Sequence, residues 1–428
     1  MKNKLAILGG TKTIKNLKAY TSIGKDEKKA VNEVMKSNCL SGFYGSWTKE
    51  FFGGKKILEL ENNWKNFFGV KNAISVNSNT SGLYCAMGAI GISPGDEVII
   101  PPTTMSATAM APLVYGGIPV FADIEKKTFC IDPSEVENKI TKKTKAIIAV
   151  NLFGHPAQLH KLKSIAKKNK LYLIEDNAQA PLATEKNNYC GTIGDIGVFS
   201  LNYHKHIHSG EGGICCTNDD ELALRMQLIR NHAEASVEFT DLHDLTNMVG
   251  FNYRMTELSA AVALIQLKNI KKHVRLRKDF SESLSAQVKN LDGLSVPYVR
   301  NGCEHVYYGW VLGFDEKKLG IKRDLFVKAL NEEGFPCYGG YVKPLYLLPT
   351  FQRRKALGRK NFPFNLTKIK YLKGSCPNAE HLHKTSMIVF QPCAWDLNKN
   401  IIKKFSEAIE KVYTFREELI ERRSEIGY

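Results

Sequence analysis

A chain of 428 residues, 43% hydrophobic and 24% charged, has the composition of a soluble globular protein and can bury a core without disulfide or metal staples. Its charge is lopsided, 60 Lys and Arg against 43 Asp and Glu for a net +17, a balance that favours anionic partners. Ten cysteines with no CxxC pair exclude a zinc ribbon and a disulfide framework, and no uninterrupted apolar run approaches the length of a membrane span.

Most lysines are scattered, as Lys15, Lys55, Lys139 and Lys268 are, which describes a solvated surface rather than a binding face. The real clusters are short: RRK at 353–355, RK at 359–360 and KKHVRLRK at 271–278. The cysteine usage, together with the lack of a leader-like segment, predicts a reducing cytoplasm.

In chain order, LELENNWKNFF (58–68) places Leu58, Leu60, Trp64, Phe67 and Phe68 near helical spacing. AISV then reads as a strand, and NSNTSGLYCAMGAIG (77–91) opens a helix with small polar residues. DEVIIPP (96–102), IPVFADI (118–124), KAIIAVNLFG (145–154), LYLIEDNAQA (171–180), GDIGVFSLN (194–202) and GGICCTN (212–218) read as buried strands. Amphipathic segments lie between several of them. QLHKLKSIAKKNK (158–170) puts Leu159, Leu162, Ile165 and Ala166 on one face, and DDELALRMQLIRN (219–231) opens with acidic capping candidates. Strands alternating with helices predict an α/β protein with a mostly parallel sheet covered on both faces. A basic helical segment near residue 270 marks a change of pattern to mixed strands and helices. Residues 1–25 are therefore read as an N-terminal arm, 26–270 as a large domain, and 271–428 as a smaller C-terminal α+β domain.

In open α/β sheets chemistry gathers where strands end. NYHKHIHSGEGG (202–213) begins where one strand ends, and it admits three readings. His204, His206 and His208 alternate as metal ligands on one strand face would, but the glycine turn makes extended geometry doubtful and no HExxH partner exists. SGEGG lacks the GxxxxGK[ST] spacing of a phosphate loop, and AILGG is not GxGxxG. Lys205 is the third candidate: burial and nearby cations lower an ammonium pKa and free the amine to form an imine.

Two further segments complement that lysine. Backbone N–H groups at the helix start beside Thr80 and Ser81 suit a phosphate, the alternative being an ordinary capped helix. Asp176 ends an apolar strand, where a carboxylate needs a cationic partner such as a protonated ring nitrogen; a plain helix cap is the competing reading. A phosphate, a basic ring nitrogen and a carbonyl together describe pyridoxal 5'-phosphate.

At these residues the sequence resembles the pyridoxal-phosphate-dependent sugar aminotransferases of the DegT/StrS group, within the aspartate aminotransferase superfamily. LSGFYG, NSNTSGL, PGDEVIIPPTTMSATA, GGIPVFADIE, LFGHPA, IEDNAQAPLA, GTIGDIGVFSLNYHKHIHSGEGG, TNDDELA, IRNH and GFNYRMTELSAAVALIQL carry the resemblance from about residue 20 to past 400. It implies a mixed, mostly parallel seven-stranded sheet flanked by helices, plus a smaller α+β domain. Lys205 falls on the lysine that binds the cofactor covalently. Ser200, Thr80 and Ser81 fall on the phosphate site, Asp176 on the partner of the pyridine nitrogen, and Gln179 near the ring hydroxyl. Asn252 falls on a residue reaching the phosphate of a neighbouring subunit, so a homodimer with shared sites is expected.

The chain departs from the pattern at three positions. Met105 stands where an aromatic residue usually stacks on the ring, Asn79 where glycine is common, and Asn151 where histidine is common. Some relatives replace the lysine by histidine and act as sugar dehydratases; retention of Lys205 favours amino transfer. The expected donor is glutamate and the expected acceptor a nucleotide-linked keto-sugar, serving surface polysaccharide or glycoconjugate synthesis. RRKALGRKNFPF (353–364) is a candidate contact for the nucleotide diphosphate, a solvated loop being the competing reading, and a small phosphorylated ketone such as dihydroxyacetone phosphate is the alternative acceptor. A regulatory or nucleic-acid-binding protein on the same fold is a third reading, which no helix-turn-helix or aromatic RNA motif supports. No metal, nucleic acid or membrane partner is expected.

Overall fold

The computed structural model describes residues 4–428. Seven strands form its central sheet: β1 (Asn72–Val76), β2 (Glu97–Ile100), β3 (Ile118–Phe121), β4 (Thr144–Val150), β5 (Tyr172–Asp176), β8 (Ile196–Ser200) and β9 (Gly213–Thr217). The spatial order is β1-β9-β8-β5-β4-β2-β3. β9 runs antiparallel to both neighbours, and every other adjacent pair is parallel. The expected mostly parallel sheet of seven strands is thus present, and all seven coincide with the strand segments read from the sequence. β2, β3 and β9 are buried along their whole length, as expected of strands covered on both faces.

Helices supply that cover. Lys55–Phe68 buries Ile57, Leu60, Trp64 and Phe68, a 3-4-4 stripe, and stops at Gly69 with φ +68°. The stripe is displaced from the sequence reading: Leu58 faces solvent and Ile57 takes its place in the core. Leu159–Lys168 buries Leu159, Leu162, Ile165 and Ala166 as its spacing predicts. Asp219 caps Asp220–Arg230 by accepting the Leu222 N–H at 3.0 Å. The basic stretch around 270 forms two helices, Glu257–Lys268 and Ile270–Val288, separated at Asn269.

A finger of two short strands, β6 (Thr184–Glu185) and β7 (Asn188–Tyr189), pairs with β11 (Cys303–Glu304). The second main sheet is antiparallel, in the order β10 (Leu294–Ser295), β12 (Trp310–Phe314), β14 (Met387–Phe390), β13 (Cys337–Gly339). Its own apolar core joins Phe280, Trp310, Phe335, Phe390 and Phe405 to Leu5, Leu8 and Ile14 from the start of the chain. Leu345, Tyr346, Phe351, Phe364 and Tyr371 instead pack on the core of the seven-stranded sheet. The ten cysteines are free thiols, and among the described residues no helix is long and apolar enough to cross a membrane.

Candidate active site

Two adjacent carboxylates end β5, and their surroundings differ. Glu175 accepts the N–H groups of Gly191, Ile193 and Gly194 at 2.6–2.7 Å and ties down the turn before β8. Asp176 is buried as well, but its bonds are fewer and longer, the Thr108 hydroxyl at 2.9 Å and the Ala178 N–H at 3.3 Å, with the Asn79 side chain also drawing on it. Thr108 reaches it from the helix Ala107–Val114, which begins just after β2. Burial pushes the Asp176 carboxyl up, against the pull of Thr108, Ala178 and the charge of Lys205. Two carboxylate oxygens can take about four bonds, so this group retains capacity for a cation.

Lys205 lies in the loop that returns β8 to β9. The loop is closed by Leu201 N–H to Gly212 O at 2.8 Å and Ser209 N–H to Leu201 O at 2.9 Å. Burial lowers the Lys205 ammonium to about 8, although Asp176 pulls the other way. Its Nζ stands 4.4 Å from the centre of the Tyr308 ring.

The neighbouring histidines have separate partners. Half-buried His204 lies beside the rings of Tyr203 and Tyr308, His206 Nε2 bonds to Val306 O at 2.8 Å, and His208 Nε2 bonds to Ser22 Oγ at 2.8 Å. Burial first, then the Lys205 charge, lowers His204 to about 4, and burial also lowers His206, to about 3. Among the described residues no group of His, Cys, Asp and Glu is arranged to hold a metal ion.

The helix Asn79–Ala89 starts beside this loop. Gly213 permits the approach: a Cβ there would come within 2.7 Å of the Ser78 backbone. Ser200, half-buried at the end of β8, pairs with Gly213 in the sheet and accepts the Asn202 N–H at 3.3 Å. Ser78 caps the helix by accepting the Ser81 N–H at 3.0 Å. The Ser81 hydroxyl is spent within that cap, on Asn77 Oδ1 at 2.6 Å and Ser78 O at 2.9 Å. Thr80 is half-buried, and the N–H groups of Asn79 and Thr80 have no intrahelical acceptor. Asn79 braces the helix start by donating to Val198 O at 3.1 Å.

The other residues singled out in the sequence sit around this centre. Gln179 accepts the Phe153 N–H at 2.7 Å and donates to the Tyr341 hydroxyl at 3.0 Å. Met105 is 59% exposed, in the turn that leads to Thr108. Asn252 is exposed and holds Arg254, while its neighbour Tyr253 accepts the Asn77 N–H at 2.8 Å. Asn151 is fully buried and structural, bonded to Ala157 N–H and to Asn177 at 2.9 Å each. In the basic loop, Arg354 is committed to the carbonyls of Phe364, Thr367 and Ile369, while Arg353, Lys355, Arg359 and Lys360 are exposed.

Thr108, Tyr308 and Tyr341 are contributions that the sequence reading lacks. Their types are ordinary, and only the fold brings them to Asp176, Lys205 and Gln179. An under-bonded buried carboxylate, a free helix start and a buried amine match the pyridinium, phosphate and aldehyde of pyridoxal phosphate.

Known proteins agree with this chemistry. A family model described as the DegT/DnrJ/EryC1/StrS aminotransferase family matches residues 21–388. The spore coat polysaccharide biosynthesis protein SpsC of Bacillus subtilis is 32% identical, covering 80% of this chain and 86% of that protein. GDP-perosamine synthase of Caulobacter vibrioides is 34% identical, covering 70% and 79% respectively. The X-ray structure of an aminotransferase from Psychrobacter cryohalolentis superimposes with a TM-score of 0.81 at 29% identity, covering 93% of this chain and 99% of that one. Fold, site and kinship converge: the chain belongs to the DegT/DnrJ/EryC1/StrS aminotransferase family and is a transaminase that uses pyridoxal phosphate.

Proposed function

We propose that the enzyme transfers the amino group of glutamate to the keto group of a nucleotide-linked keto-sugar, for surface polysaccharide or glycoconjugate synthesis. Similarity to GDP-perosamine synthases and to a spore coat polysaccharide protein is the observation that carries this reading. The net charge of +17 suits a diphosphate substrate. A cytoplasmic homodimer completes the proposal. Free thiols support the compartment, and the exposure of Met105 and Asn252 leaves room for a second copy beside the site.

Bound pyridoxal phosphate supplies an aldehyde carbon and a pyridinium that accepts electron density from the carbon losing its proton. Asp176 would pair with the ring nitrogen and keep its proton in place. Lys205 would hold the aldehyde through Nζ and, as a free amine, would take up and return a proton at that nitrogen. With the amine near pKa 8, the basic fraction of Lys205 grows as pH rises through that value. The free N–H groups of Asn79 and Thr80, with Ser200, would hold the phosphate, and Asn252 would reach the site of the partner copy. Gln179, bonded to Phe153 and Tyr341, would meet the ring hydroxyl.

The deciding experiment supplies glutamate with GDP- and TDP-linked 4-keto-6-deoxy sugars, or with dihydroxyacetone phosphate. It follows 2-oxoglutarate release and the mass of the aminated product. Turnover of a nucleotide sugar is expected; turnover of dihydroxyacetone phosphate alone would overturn the assignment.

A further inference from the structure

Tyr308 touches the reactive amine, yet neither its residue type nor its position marks it in the sequence. It is 3% exposed and belongs to the segment 305–309, which is fastened to the large domain on two sides. Val306 N–H bonds to Gly154 O and Gly309 N–H to Phe153 O, both at 3.0 Å. A Cβ on Gly154, which has φ +96°, would stand 2.9–3.0 Å from the N atoms of Tyr307 and Tyr308, so the two segments lie in direct backbone contact. From the other side, His206 Nε2 bonds to Val306 O at 2.8 Å. Tyr307 takes φ +53°, a strained value for a bulky residue. It is held there by its N–H bond to His305 Nδ1 at 2.9 Å and by stacking on the His305 ring, centroids 4.0 Å apart. That backbone reversal brings the Tyr308 ring to Lys205.

The rings of His204 and His206 flank Tyr308, with centroids at 6.2 and 6.3 Å, both inclined at 47°. The Lys205 ammonium therefore lies over the face of an aromatic ring bordered by the residues on either side of it in the chain. Asp176 bonds to Thr108 and Ala178 instead, and among the described residues no ion pair joins it to Lys205.

We propose that Tyr308 is a positioning residue for the transamination: its ring face seats the Lys205 ammonium whenever the amine is free, keeping it beside Asp176 without pairing to it. A direct ion pair would place the lysine where the ring nitrogen of the cofactor must bind. A cation–π contact is weaker and undirected, so it holds the charge while leaving Nζ free to move. The groups around Nζ leave that face uncontested. His204 and His206 are held neutral by burial, and the Cys393 thiol, on the turn after β14, is pushed up by burial despite Arg277 and Lys205. Asp176 is the one carboxylate whose charge is felt at the amine.

The inference rests on Lys205 being the reactive amine, which borohydride reduction of the holoenzyme and peptide mapping establish separately. The test uses the full chain saturated with pyridoxamine phosphate, which fills the cofactor seat and leaves Lys205 free. Competitive labelling with acetic anhydride from pH 6 to 10, read at the Lys205 peptide, gives the titration midpoint. A ring face favours the charged form, so its removal must lower that midpoint. Tyr308→Leu is expected to move it down by about one pH unit, and Tyr308→Phe by less than about 0.3. Tyr308→Trp, a stronger cation–π face, is expected to move it up and keeps the test alive if the leucine variant does not fold. An unchanged midpoint in the leucine or tryptophan variant, or an equal shift in the phenylalanine and leucine variants, overturns the proposal. A pyridoxyl label absent from Lys205 overturns the site assignment instead.

Discussion

Asp176 and Glu333 are both buried carboxylates, and their neighbours treat them in opposite ways. Glu333, at the end of the helix Arg323–Glu332, accepts the Ala6 N–H at 2.7 Å, the Thr13 N–H at 3.1 Å and the Thr13 hydroxyl at 2.6 Å. It also pairs with Lys411 at 2.9 Å. Burial alone would raise its pKa, but these bonds outweigh burial and lower it. Asp176 has one hydroxyl and one long backbone bond, and burial wins. A saturated buried acid holds the fold together; an unsaturated one is reserved for a partner that arrives later. Glu175, its neighbour in the chain, is saturated like Glu333 yet buried so deeply that its pKa is raised all the same, so it differs from Asp176 in bonding alone.

Substitutions sharpen the distinction. Asp176→Asn is expected to lower kcat/KM for amino transfer by about 10²–10³-fold, because the charge proposed to pair with the pyridinium is lost. Its melting temperature should stay at or above that of the parent protein, since a costly buried charge has been removed. Glu333→Gln should do the reverse. It is expected to cost about 3 kcal/mol of unfolding free energy, measured by urea titration, while activity per folded molecule is retained.

The acid limb belongs to Glu333 as well. Its pKa is lowered on folding, so the stability it contributes is present above the ordinary glutamate value and is lost as pH falls through the folded one. The gap between parent and Glu333→Gln should therefore narrow below about pH 4.5. Thr108→Val has the smallest expected effect, about tenfold in kcat/KM. It removes the one hydroxyl that holds Asp176 ionised, so the acidic limb of the pH–rate profile should move upward. An equal loss of stability in the Asp176 and Glu333 variants would break the comparison.

The elements of the sheet were legible because each strand is an apolar run bounded by turn residues, and a strand buried on both faces needs little else. Asp176 stood out because it ends such a run, and Lys205 because it lies in the loop that follows one. Burial of Ser81 in its own cap was not, because a hydroxyl at a helix start serves a phosphate or the helix equally well. Thr108 and Tyr308 escaped for another reason. Their roles come from approaches of 68 residues in one case and about a hundred in the other, which no local pattern encodes. The Ile57 stripe shows the limit even within one helix: Leu58 and Ile57 are equally apolar, and only packing chooses between them.

The fastening of Ala6 and Thr13 to Glu333 also has a consequence in time. The bonds span 327 and 320 residues, and Lys411 reaches back 400 to the carbonyl of Thr11. On a ribosome adding about 5–20 residues per second, Leu5, Leu8 and Ile14 wait roughly half a minute for the surface that receives them. These apolar residues thus stay uncovered through most of the synthesis of the segments that follow them, and the later-made surface closes back on an early one.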